Sequence, residues 1–473
     1  MSDTSRRRFL AGSLAGAGAI SIGLLAYGKL ARPLPGADIP ESMGPLRVTA
    51  DENTGLPLLR LPEGFRYRTL SWAGSELHDG NTVPGSADGM GVVRQQGNRI
   101  TLIRNHELQG ATGVMGRPDI AYDRTSPGGT TTLVFDSATE QLVDSRISLS
   151  GTLYNCAGGV TPWGTWLSCE EAAFSPALTH LPASGKQRWW DIESAEQEHG
   201  FVFEVPPDGV AEPLPIKALG QFEHEAVAID PVSGIAYMTE DMGPDAGFYR
   251  FLPEVPGQLQ QGGRLQMMKV EGRPDMTDYL QLGQEMDTAW VDIPNPTQGF
   301  VPGTRKGSGV SAQGLANGAS RFVALEGCAF SDGLVYFTSK LGGRYMAGYV
   351  LEYDPRREKI RMVFESRGHN HFSGPDNIVM SPRGSLVICE DRLSNPKDAQ
   401  TIAGLTQTGE FFRFCQVNPD LRGRFGGHDL RATALTSEWA GVTFSKDGEW
   451  LFMNIYNPGV TVAVTGPWQE GYI

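Results

Sequence analysis

The residues of this chain that could carry chemistry are acids set at recurring points. Glu225, Glu326, Asp376 and Glu438 each stand just before a short run of apolar and small residues: Ala226-Val227-Ala228-Ile229, Gly327-Cys328-Ala329-Phe330, Asn377-Ile378-Val379-Met380 and Trp439-Ala440-Gly441-Val442. A turn follows each, and a second run then ends on further polar residues: Thr239-Glu240-Asp241, Ser339-Lys340, Cys389-Glu390-Asp391 and Met453-Asn454. Two earlier copies are less regular. Asp88-Gly89-Met90-Gly91 leads to Asn105-His106-Glu107, and Cys156-Ala157-Gly158-Gly159 leads to Cys169-Glu170-Glu171. Carboxylates gathered at such density cannot all stay ionised without cations, and calcium and other oxygen-preferring metals suit them. A single acid at a strand end is explained as well by turn capping in solvent; the recurrence of the position argues for a shared site.

Elements that could bring these residues together must be strands. Beyond about residue 50 the sequence shows short apolar or alternating runs separated by Gly, Asp, Asn and Pro, with little amphipathic helix pattern. Most copies continue into a further strand pair, such as 348–354 followed by 360–364. Four strands per copy and six copies predict an all-β fold, a six-bladed β-propeller with inserted loops, the longest between residues 253 and 324. An array of β-sandwiches, or two separate β domains, is the structural alternative. In a propeller the innermost strand of each blade runs along the axis and its neighbour returns to the same mouth. Cys156, Glu225, Glu326, Asp376 and Glu438 should then converge from inner strands, and Glu170, Glu240 and Glu390 from second strands.

The bulk of the sequence agrees. The chain has 473 residues with 60 Gly and 31 Pro, a composition for many short strands joined by turns. Its formal net charge of -14 argues against binding nucleic acid. The same charge repels anionic substrates unless cations are bound near the site. Five cysteines, an odd number, do not form a disulfide framework. At the N-terminus, Ser5-Arg6-Arg7-Arg8-Phe9-Leu10 precedes an uncharged run over 11–27 rich in Gly and Ala, the pattern of a twin-arginine export signal. That run is short and Gly-rich for a spanning helix. Residues 1–31 are thus read as a signal, which tethers the protein to the membrane if it is not cleaved, and residues 45–473 as one β-propeller domain. The export machinery is an expected partner, and the expected location is periplasmic or secreted. The route carries proteins already folded, which suits one that loads metal before export.

The stretch from Gly151-Thr152-Leu153-Tyr154-Asn155-Cys156-Ala157-Gly158-Gly159 to Trp166-Leu167-Ser168-Cys169-Glu170-Glu171 closely resembles the signature of PhoX-type alkaline phosphatases. Phe222-Glu223-His224-Glu225-Ala226, Gly374-Pro375-Asp376-Asn377 and Ser437-Glu438-Trp439-Ala440-Gly441 also resemble that family. The resemblance covers nearly the whole chain after the leader and is closest to a shorter branch of the family. It implies a propeller with two iron ions and calcium ions at its axis, and hydrolysis of phosphate monoesters and some diesters. It makes Cys156 an iron-binding thiolate and Glu170, Glu171, Glu225, Glu240, Glu326, Asp376, Glu390 and Glu438 metal carboxylates, with Asn105 and Glu107 as further candidates. Sulfur among carboxylates favours a transition metal, while positions rich in oxygen suit calcium. Cys156, Glu225 and Glu326 would then serve catalysis directly, with Lys340 as an assisting cation at a position where other copies carry acids. Cys169 and Cys389 read as small buried apolar residues. Two other readings stand beside this one. Calcium propellers of the lactonase type also place Glu, Asn and Asp at their axis, though without a thiolate. A non-catalytic exported calcium-binding propeller would keep the acids and no colour, whereas iron bound to a thiolate absorbs visible light.

Overall fold

The computed structural model describes residues 39–109, 113–181, 195–278, 280–368, 372–391, 399–435 and 437–473; the twin-arginine sequence lies outside them. Nearly all regular structure is antiparallel β. Strands β1 (Arg47–Thr49), β2 (Leu59–Leu61) and β3 (Arg66–Trp72) precede β4 (Ala87–Gln96), β5 (Arg99–His106), β6 (Gly128–Asp136) and β7 (Gln141–Thr152). Then come β8 (Asn155–Val160), β9 (Trp166–Glu170) and β10 (Val202–Val205). The next group is β11 (His224–Ile229), β12 (Ala236–Glu240), β13 (Phe248–Pro253), β14 (Gly263–Val270) and β15 (Met286–Asp292). After helix α1 (Gly309–Ala316) follow β16 (Leu325–Ser331), β17 (Leu334–Ser339), β18 (Tyr349–Asp354) and β19 (Lys359–Glu365). The chain ends with β20 (Pro375–Met380), β21 (Leu386–Glu390), β22 (Thr401–Leu405), β23 (Phe411–Val417), the short pair β24 (Arg424–Phe425) and β25 (His428–Asp429), α2 (Leu430–Thr433), and β26 (Trp439–Phe444), β27 (Leu451–Ile455) and β28 (Val460–Thr465). No helix among the described residues is long and apolar enough to cross a membrane.

The arrangement is propeller-like, but its sheets are not the six separate four-stranded blades that the repeat predicts. β4–β7 form one four-stranded sheet, and β26–β28 form another with β3 on the outside. β8–β10 make a three-stranded sheet, and β20–β23 are extended by β2 and β1 to six strands. The remaining strands form a single nine-stranded sheet, β11 to β15 followed by β19 back to β16, which curls nearly closed because its end strands β11 and β16 lie side by side. The inserted segment causes the fusion. It supplies β15, whose one edge pairs with β14 and whose other edge pairs with β19 at Met286↔Ile360 and Asp287↔Lys359. An unpaired strand edge seeks a partner, and here two neighbouring sheets share one.

The axis is nevertheless built as the repeat requires. β4, β8, β11, β16, β20 and β26 neighbour one another in that order, and β26 returns to β4. The ring is sealed by the N-terminal strands: β3 pairs with the C-terminal β28 from Trp72↔Val460 to Arg66↔Thr465, and β2 pairs with β23. Outer strands such as β3 alternate between buried and half-buried positions, as a sheet with one packed face must. Inner strands such as β11 are buried along their whole length. They approach so closely that a Cβ on Gly159 would lie 1.7 Å from the carbonyl oxygen of Val227, and one on Gly327 would lie 2.6 Å from that of Asp376. The small residues that open each repeat are what let these backbones converge.

Candidate metal centre

One local device recurs at the axis. The first residue of each inner strand pairs with the last residue of its second strand: Ala87↔His106, Asn155↔Glu170, His224↔Glu240, Leu325↔Ser339, Pro375↔Glu390 and Trp439↔Ile455. In β4, β8, β11, β16 and β20 the ladder slips immediately afterwards, and in β26 it slips one residue later. A bulge of this kind re-aims a side chain. The residues at the five slips are Asp88, Cys156, Glu225, Glu326 and Asp376, and they are brought together with the residue that follows each second strand. In four strands the residue two places earlier is left-handed: Ser86 (φ 47), Tyr154 (φ 53), Ala324 (φ 42) and Gly374 (φ 63). For the three that are not glycine this is a sparsely populated conformation, held here by the converging backbone. The chain of β26 is set differently. Tyr456 N donates to Glu438 O just as Glu171 N donates to Tyr154 O, so Glu438 takes the place of Tyr154 and Ala440 takes that of Cys156.

The result is a continuous arc of metal-ligating atoms. Four groups, Asp88/Glu107/Cys156, Cys156/Glu171/Glu225, Glu225/Glu326/Asp376 and Asp376/Asp391/Glu438, each place their ligand atoms within 4.8 Å of one another. They overlap at Cys156, Glu225 and Asp376, so eight carboxylates and one thiol form a single chain of neighbours. Its two ends meet across a cavity of about 220 Å3 walled by Asp88, Glu107, Tyr154, Cys156, Asp376, Asp391, Glu438, Ala440 and Tyr456. The Cys156 Sγ donates to Asp88 Oδ2 at 3.6 Å. Glu225 is fully buried, and neither of its carboxylate oxygens has a hydrogen-bond partner. The Cys156 thiol eases its charge without reaching hydrogen-bond geometry. Burial first, and then the facing carboxylates, push Asp88, Glu171, Glu225 and Glu438 well above the usual carboxylate range. Glu107 is raised to about 7 and Asp376 to about 6, again by burial before anything else. Such a ring holds protons or it holds cations. Orphaned buried oxygens, oxygen-rich groups and one thiol form a donor set that fits metal ions.

The structure brings together Cys156, Glu107, Glu171, Glu225, Glu326, Asp376, Glu438 and Lys340 from the sequence candidates. It turns the others aside, and the reason is strand alternation. Glu170, Glu240 and Glu390 are the last residues of their strands, and the neighbouring residue is the one that faces the axis. Glu170 accepts from the backbone N–H of Leu153, Gly200 and Phe201 and from His199 Nδ1, at 2.7–3.1 Å. Glu240 accepts from Gly247 N and the Tyr249 hydroxyl, both at 2.7 Å, and Glu390 accepts from Ser373 N and Thr401 N at 3.0 and 2.9 Å. These three acids pin loops. Sequence reasoning passed over Asp241 and Asp391, which directly follow two of them, and Asp88. Asp391 and Asp88 enter the arc, and Asp241 acts on the charge of Glu171, Glu225 and Glu326.

Asn105 is also a positioning residue rather than a member of the arc. Its Nδ2 donates to the carbonyls of Cys156 and Ala157 at 3.0 and 2.7 Å, which the bulge has freed from the ladder. The same duty passes round the ring. Thr239 donates to Glu326 O at 2.5 Å, Thr338 to Asp376 O at 2.9 Å and Asn454 to Asp88 O at 2.5 Å. Each of these residues lies next to last in its second strand. Cys169 and Cys389 hold that same place in β9 and β21, fully buried. The two acids of Glu170-Glu171 therefore separate cleanly by experiment. Glu170→Gln should lower the melting temperature and leave metal content unchanged, because its partners are backbone amides and His199. Glu171→Gln should lower metal content, measured by elemental analysis, with little loss of stability in the metal-free protein. The opposite pairing of effects would reverse the assignment.

The fold and the site define the class as a propeller-like β protein that gathers buried carboxylates and a thiol at its axis as a candidate metal centre. A family model described as alkaline phosphatase PhoX matches residues 42–459, and the chain belongs to that family. Among solved structures, PhoX of Pseudomonas fluorescens in complex with vanadate, a transition state analogue, aligns over 91% of this chain and 98% of its own at 18% identity, with a TM-score of 0.61. A gluconolactonase from Xanthomonas campestris aligns over 93% of this chain and 99% of its own at 12% identity, with a TM-score of 0.44. No curated protein matches the sequence.

Proposed function

We propose that this chain is an exported phosphatase that hydrolyses phosphate monoesters, and some diesters, at an axial cluster of iron and calcium set in six blade-like units. The observation that carries this reading is Glu225. A fully buried carboxylate with both oxygens unpartnered, at the middle of an arc of acids, is costly unless a cation completes it. The groups that include Cys156 suit iron, and the groups made only of carboxylates suit calcium. Bound ions supply Lewis acidity that offsets the negative charge building on a transferring phosphoryl group. They also make an acidic mouth attractive to an anion, which the bare protein would repel.

The protein's own side chains do the rest. The bulges fix where Cys156, Glu225, Glu326 and Asp376 can place a ligand, and the ring of Asn105, Thr239, Thr338 and Asn454 holds those bulges. Tyr154 and Tyr456 stand beside Glu107 in the cavity wall and ease its charge. A phosphate ester would meet the arc of acids at that cavity.

Exhaustive chelation of the purified protein should abolish hydrolysis of a chromogenic phosphate monoester. Calcium alone should restore it only if iron has stayed bound, and full activity in the metal-stripped protein would rule the reading out. Export by the twin-arginine route is tested by the double substitution Arg6→Lys and Arg7→Lys. It should leave folded protein in the cytoplasmic fraction; unchanged delivery to the periplasm would defeat that part.

A further inference from the structure

Five of the six residues that follow a second strand at the axis are Glu107, Glu171, Asp241, Asp391 and Tyr456; the other is Lys340. Its ammonium is enclosed by three carboxylates from three segments. Nζ lies 3.4 Å from Glu326 Oε1 and 3.5 Å from Asp376 Oδ2, and it also contacts Asp391 Oδ2. An ammonium has three donors, and here three acceptor groups face it. The backbone is shaped to deliver it. Lys340 N donates to the carbonyl of left-handed Ala324 at 2.8 Å. Gly374 stands beside the stem, where an added Cβ would lie 3.4 Å from the lysine Cγ. The side chain is 15% exposed, so it is not one that sweeps through solvent.

Two of the four ligand groups, Glu225/Glu326/Asp376 and Asp376/Asp391/Glu438, draw on the carboxylates that Lys340 engages. A metal ion there would need the same oxygens. We propose that Lys340 is a resident cation of the ring: it occupies the place among Glu326, Asp376 and Asp391 that a calcium ion would otherwise take, and so lowers by one the number of calcium ions that the carboxylate-only groups accept. This rests on the metal-centre reading given above and deepens it by setting how many ions the ring accepts. The lysine differs from an ion in one functional respect. It cannot be chelated away, so this side of the ring keeps its charge balance in the metal-free protein.

The test uses the mature, metal-loaded protein together with Lys340→Met and Lys340→Arg. Bound calcium is counted by elemental analysis after calcium titration and dialysis. Lys340→Met should bind one calcium more per chain than the wild type, with a new anomalous scattering peak among Glu326, Asp376 and Asp391. Lys340→Arg should keep the wild-type count. An unchanged count in Lys340→Met, with only a raised KM, would overturn the proposal and make the lysine a substrate ligand. If Lys340→Met does not fold, the wild type still decides the matter: crystals soaked in terbium should show no ion within that triangle, and an ion found there overturns the proposal. A wild type that binds no metal anywhere would instead defeat the reading of the whole site as a metal centre.

Discussion

In the Cys156→Ser variant iron should be lost and turnover should fall by on the order of 100-fold or more, while the fold persists. The size follows from comparison: removing a residue that only orients a metal ligand costs about 10- to 100-fold in affinity or activity, and Cys156 is proposed as a ligand itself. The exchange is nearly isosteric, so the bulge of β8 and its support from Asn105 should survive. What changes is the donor. In the metal-free protein the thiol is kept protonated, since burial first and then Asp88, Glu225, Glu171 and Glu107 push it up. Only a strongly bound cation can draw off that proton, because a coordinating thiol is deprotonated outright. A serine hydroxyl in the same place is far harder to ionise and does not favour a transition metal over calcium. Elemental analysis and the visible absorption of an iron–thiolate bond measure the outcome. Iron content and turnover equal to the wild type would remove Cys156 from the centre.

How much of this was legible in the sequence depends on which strand is considered. The openers of the inner strands could be found because each precedes a recognisable run, and a recurring position survives uncertainty of a residue or two. The second strands could not be phased in the same way. Successive side chains point to opposite faces, so an error of one residue turns every assignment over. That is why the sequence marks Glu170, Glu240 and Glu390 as ligands beside Glu171 and passes over Asp391, when Glu171 and Asp391 are the ones in the arc. The last residue of a strand is fixed by its pairing, such as Pro375↔Glu390, and pairing is not written in the strand itself. The bulges were invisible for the same reason. Glu438 was found although it stands two residues before its expected place, because the slip in β26 is displaced. The blade count failed on β15, a strand that opens no repeat and whose partners come from two different repeats. Cys169 and Cys389 look like apolar filler in one dimension; their shared place with Asn105, Thr239, Thr338 and Asn454 emerges only when the strands are laid side by side.

Glu225→Gln should change stability in opposite directions according to whether metal is present. In the metal-free protein the Glu225 carboxyl is forced above its ordinary range, by burial first and then by Asp376 and Asp88. A carboxyl raised on folding favours the folded state fully only below its unfolded pKa, near about 4.3, and that contribution is lost as pH rises through the folded value. Each unit by which the folded value exceeds the unfolded one is worth about 1.4 kcal/mol once both are passed. At neutral pH the empty wild type therefore carries a penalty that glutamine, which has no charge to desolvate, does not. The metal-free variant should melt higher than the metal-free wild type, with a shallower loss of stability between pH 5 and pH 8. With metal bound the order should reverse. The carboxylate is then paired, and an amide supplies one neutral oxygen where the wild type offers two charged ones, so metal should be held more weakly and contribute less to stability by mass action. Thermal melts of loaded and stripped samples of both proteins, across that pH range, make the comparison. If Glu225→Gln melts lower in both states, Glu225 is a structural acid like Glu170, and the cation has to be sought elsewhere in the arc.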